Sequence, residues 1–136
     1  STLLEFNTTS SGDEAGLCAR LDENAHYEVC LTQKDDQRVI AAYLTIRGKK
    51  EVAAVVPTTA DRVYLKIQAE IKEYTLLYSL DGQEWMKLST GGAYHLSPQA
   101  VEGNGFTGVV IGLYVTGNGK MTSEPAYFDW FDYHIL

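Results

Sequence analysis

The sequence predicts an all-β fold, a sandwich or barrel of antiparallel strands, on three observations. Roughly ten short segments rich in β-branched and aromatic residues follow one another at regular spacing. Polar or glycine-containing turns separate them, at Ser10–Glu14, Lys34–Gln37, Arg47–Lys50, Asp81-Gly82 and Thr116–Pro125. No segment carries the apolar period of an amphipathic helix. The 136 residues give room for one domain with one core, expected over 1–136.

Thr2–Phe6 reads as the first strand. Gly16–Leu21 and His26–Thr32 read as a hairpin across Asp22–His26. Pairing Leu21 with Tyr27 sets Cys18 opposite Cys30. Arg38–Ile46 puts Val39, Ala41, Tyr43 and Thr45 on one face and Ile40, Ala42, Leu44 and Ile46 on the other. Glu51–Val56 ends at Pro57, which cannot donate to a ladder. Val63–Ala69 alternates cleanly between a buried and a wet face. Tyr74–Leu80 turns through Asp81-Gly82 into Trp85–Leu88. Gly91–Gly103 reads as irregular. Val109–Tyr114 is continuous in apolar and β-branched residues and reads as a central strand buried on both faces. Tyr127–Ile135 closes the chain. Tyr127, Asp129, Phe131 and Tyr133 share one of its faces, and Phe128, Trp130, Asp132 and His134 the other. With aromatics on both, neither face is simply solvated. One is expected in the core, and the other under a loop, a partner chain or a missing domain.

The charge of -7 repels phosphate backbones, so nucleic acid and anionic membranes are poor partners. No apolar run approaches a membrane span. Cys18 and Cys30 read as reduced thiols of a cytoplasmic protein, secretion being the alternative; a cross-strand disulfide would be strained. The abrupt strand at Thr2 suggests a chain cut from something longer.

No catalytic constellation emerges. His26, His95 and His134 lack metal-ligand spacing and read as surface or half-buried imidazoles. No serine sits in a nucleophile elbow. Gly117-Asn118-Gly119-Lys120 lacks Walker spacing and reads as a turn. Glu70, Glu73, Asp81 and Glu84 read as a solvated edge. Asp129 is the weak candidate for a calcium ligand, beside Asp132; the expected cofactor set is otherwise empty. Aromatic rings remain. Trp85, Tyr94, Trp130, Tyr43 and Tyr78 could stack on sugars; Trp85 and Trp130 read as core. Tyr94, in a loop beside His95, is the exposed sugar-contact candidate. The stretch Gly103–Tyr114 joins a glycine-rich lip bearing Phe106 to a strand, a way to present a contact residue from a scaffold.

Ala15-Gly16-Leu17, Tyr78-Ser79-Leu80-Asp81-Gly82-Gln83-Glu84-Trp85, Gly105-Phe106-Thr107-Gly108, Gly112-Leu113-Tyr114 and Ala126-Tyr127-Phe128-Asp129-Trp130-Phe131 occur in one order across nearly the whole chain. Together they resemble the C-terminal domain of family 43 glycoside hydrolases, β-xylosidases and α-L-arabinofuranosidases. The resemblance implies a concanavalin-like jelly-roll sandwich of two antiparallel sheets, lacking the family's first strands. It implies a partner, a five-bladed β-propeller that carries the catalytic carboxylates and acts on xylo-oligosaccharides. It implies no catalytic residue in this chain. Phe106, with Gly105 and Thr107, falls on the motif whose aromatic walls the substrate pocket. The chain departs from the family in having Asn104-Gly105 before the phenylalanine and a longer Leu96–Phe106 segment. Two other expectations stand beside this one: an independent carbohydrate-binding module using Tyr94, and a structural or homo-oligomerisation domain.

Overall fold

The computed structural model describes residues 1–7, 10–96, 109–119 and 125–132. Ten strands run β1 Thr2–Phe6, β2 Glu14–Asp22, β3 Ala25–Lys34, β4 Gln37–Ile46, β5 Lys49–Pro57, β6 Arg62–Ala69, β7 Glu73–Ser79, β8 Met86–Gly92, β9 Val110–Thr116 and β10 Ala126–Phe131. A 3-10 turn, Ala93–Leu96, follows β8. Every strand pair is antiparallel. Sheet A has the order β10-β1-β6-β7-β8, and sheet B the order β5-β4-β3-β2-β9. The predicted all-β sandwich is the fold found.

The core lies where alternate residues of the two sheets meet. Leu4, Phe6, Val63, Leu65 and Leu76 of sheet A pack with Ala15, Leu17, Tyr27, Val29, Leu31 and Ile40 of sheet B. Burying each large side chain contributes about 1.5–3 kcal/mol. Tyr27 ties the sheets together. Its ring stands edge-on to Tyr74, centroids 5.9 Å apart, and its hydroxyl donates to the Gly92 carbonyl at 2.8 Å. Gly91 makes room for it: a Cβ there would lie 2.5 Å from the Tyr27 ring.

Four expectations are corrected. The β2–β3 turn is only Glu23-Asn24, with the Asp22 carboxylate accepting the Asn24 N–H at 2.8 Å. This tighter turn and a bulge between Arg20 and Asp22 shift the register, so Cys18 faces Glu28 and Gly16 faces Cys30. Both cysteines are free thiols. Burial pushes the Cys18 thiol up to about 12 and raises Cys30 as well.

Glu14 is not a turn residue but the buried first residue of β2. β9 is not a central strand. Among the described residues it pairs only with β2, at the edge of sheet B, leaving Val110, Leu113 and Val115 exposed.

Finally, Trp130 and Trp85 are not core residues. A bulge at Asp129 sets Trp130 opposite Leu3 and Phe128 opposite Leu4. The bulge breaks the alternation, so Phe128 packs on the core while Trp130 turns to the outer face. There its ring lies 6.2 Å from Tyr64, whose other neighbour is Trp85 at 6.5 Å. The remaining aromatics of β10 are not covered within the described chain: Tyr127 and Phe131 are exposed along with Trp130.

Candidate functional site

The predicted pocket-wall residues Gly105, Phe106 and Thr107 lie outside the described residues. The root of their segment is described. Leu96, fully buried in the core, ends the 3-10 turn on one side, and Val109 packs on the core ahead of β9 on the other. Tyr94 and His95 stand on that 3-10 turn, both exposed, their rings edge-on at 5.9 Å. Tyr94 is 62% exposed. The sequence reading of Tyr94 as a presented ring therefore matches its position, and both residues adjoin the Phe106 segment in sequence. Of the other aromatic candidates, Tyr43 is buried with Lys50 Nζ 4.1 Å above its ring, and Tyr78 packs on the core.

Asp129 is exposed at the β10 bulge. Among the described residues no three His, Cys, Asp or Glu side chains gather in a way that could hold a metal ion.

A second constellation, absent from the sequence reading, occupies the outer face of sheet B. Cross-strand pairing sets Thr116 beside Glu14, Gly112 beside Cys18, and Cys18 beside Glu28. Glu14 is only 2% exposed. Its Oε2 accepts the Tyr114 hydroxyl at 2.6 Å and its Oε1 the Asn118 Nδ2 at 2.8 Å, with Lys50 Nζ at 3.7 Å. Glu28 Oε1 lies 2.9 Å from His26 Nε2. Glu14 and Glu28 also lie close enough for each to perturb the ionisation of the other.

Burial, and then contact with Glu28, raise Glu14 above the ordinary carboxylate value. Burial would raise Glu28 too, but hydrogen bonds from His26, Glu14 and Tyr114 outweigh it and hold Glu28 low. The hydrogen bond to Glu28 raises His26. Gly16 lets β2 and β3 approach closely: a Cβ there would lie 2.1 Å from the Val29 carbonyl oxygen and 2.7 Å from Cys30 Cα. One signal could have found the site: Glu28 interrupts an otherwise apolar run from Tyr27 to Leu31.

An all-antiparallel two-sheet sandwich with an aromatic outer face on one sheet and a polar network on the other defines a jelly-roll-type module. Its kinship is specific. The family described as the β-xylosidase C-terminal concanavalin A-like domain matches residues 1–134, and the chain belongs to it. It is 34% identical over 138 residues to the non-reducing end α-L-arabinofuranosidase BoGH43B of Bacteroides ovatus, covering 100% of this chain and 25% of that protein. It is 33% identical over 141 residues to a xylan 1,3-β-xylosidase of a Vibrio species, covering 97% of this chain and 25% of that protein. A solved structure of the Bacteroides ovatus xyloglucan-locus GH43B superposes with a TM-score of 0.90 at 33% identity, over 99% of this chain and 26% of that one. The chain thus spans about a quarter of the length of the relatives it matches, and corresponds to their C-terminal module.

Proposed function

We propose that this chain is a non-catalytic module that walls off the substrate pocket of a separate catalytic domain acting on xylo-oligosaccharides or arabinofuranosides. The observation that carries this reading is its membership of a family whose members here are glycosidases, of which it spans only the last quarter. Phe106 supplies an apolar ring at the pocket boundary, with Gly105 and Thr107 shaping its approach. Excluding water strengthens the electrostatics of a closed site, and a fixed wall limits how many sugar units fit. Two features support the assignment. Leu96 and Val109 fix both roots of the Phe106 segment in the core. Tyr94 and His95 stand exposed beside one root, and the reading assigns them an added sugar contact. The uncovered aromatics of β10 offer the apolar surface on which a catalytic β-propeller would rest. The reading calls on no metal or cofactor from this chain.

The test is Phe106→Ala in the whole enzyme that carries this chain. We expect kcat/KM on a short xyloside or arabinofuranoside to fall about tenfold, or ~1.4 kcal/mol, with the melting temperature unchanged. Unchanged kinetics would remove Phe106 from the pocket.

A further inference from the structure

We propose that the cleft on the outer face of sheet B is a second ligand site, for a neutral ring polyol of one or two sugar units. The cleft encloses about 540 Å³, within the range of small-molecule sites, about 300–1,000 Å³. It runs across β2, β3 and β9.

Two observations select the ligand. The first is an open floor. A Cβ built on Gly112 meets nothing within 4 Å, and Val110 beside it is 66% exposed. Together they give a flat apolar strip for the C–H face of a sugar ring. The second is charge balance. Glu14 and Glu28 stand among Arg20, His26 and Lys50. An anion would face the carboxylates and a cation would face Arg20 and Lys50, so a neutral ligand is favoured. Its hydroxyls can donate to carboxylate oxygens and accept from Lys50 and from the exposed Arg20.

The inference takes only its choice of sugars from the proposed function. The Phe106 test reads turnover of a whole enzyme; this one reads amides of sheet B, so either can fail alone. The chain is titrated with D-xylose, L-arabinose and xylobiose and followed by amide NMR shifts. We expect saturable shifts confined to β2, β3 and β9, with Kd on the order of 1 mM. Gly112→Phe fills the floor without a backbone clash and should weaken binding about tenfold or more. Should that variant fail to fold, Arg20→Ala, an exposed change, should weaken binding about threefold. Absence of saturable shifts, shifts that map to sheet A instead, or affinity unchanged in the folded variants would overturn the proposal.

Discussion

The outer faces of the two sheets are built from the same alternation and have opposite chemistry. On sheet A the outward row is Trp130, Tyr64 and Trp85, with Lys66 Nζ 4.0 Å above the Trp85 ring. On sheet B it is Glu14, Glu28, His26 and Tyr114, with Tyr114 bonded to Glu14 and His26 to Glu28. The polar face is the more buried: Glu14 is 2% exposed and Trp130 38%. Polarity therefore does not locate the surface of this protein. Carboxyl groups can be buried here because each is met by a donor. The rings stay partly wet because they pack edge-on against one another rather than beneath another layer.

The largest effect that would break this comparison lies at Gly16. Gly16→Ala should destabilise the chain by about 3 kcal/mol in a denaturant titration, since the new methyl meets backbone that cannot yield. Gly112→Ala, across the same face, should stay within about 0.5 kcal/mol of the parent. Equal effects at the two glycines would mean that β2 and β3 do not approach as described.

The next effect is on pH dependence. Glu14 and His26 have raised folded values, so each adds stability that is complete below its unfolded value, 4.5 and 6.5 respectively, and is lost as pH rises through the folded value. Glu28 is lowered, so its contribution is present above 4.5 and lost as pH falls through its folded value. The melting temperature should therefore peak near pH 5, decline toward pH 8, and decline again in strong acid. Glu28→Gln should flatten the decline around His26, whose raised value depends on that carboxylate. Trp130→Ala should leave the pH profile unchanged while lowering stability by about 1 kcal/mol. A scan of melting temperature against pH for the three proteins separates the faces. The smallest effect is Lys66→Met, about 0.5 kcal/mol at constant pH, from loss of the cation above Trp85.

Strand identity was legible wherever alternation was regular. Thr2–Phe6 has the expected bounds, and Val63–Ala69 is extended only by Arg62. What the sequence could not carry was anything set by the partner strand. The bulges at Asp129 and between Arg20 and Asp22 reverse the faces of the residues beyond them, and nothing in the local residues announces them. They misplaced Trp130 and the two cysteines. β9 looked central because its composition is that of a buried strand, but sheet order leaves it on an edge. Glu14 and Glu28 were passed over because they lie 14 positions apart and come near each other only through the β2–β3 pairing. The family motifs, by contrast, were legible as an ordered set, and the match over residues 1–134 agrees with them.

The central claim is that this module shapes a glycosidase pocket without performing the chemistry. Its most direct test is hydrolysis of aryl xyloside and aryl arabinofuranoside by residues 1–136 alone, assayed beside Glu28→Gln. The account predicts no rate above buffer for either protein, because it assigns the catalytic carboxylates to a separate domain. Saturable turnover that Glu28→Gln abolishes would contradict it.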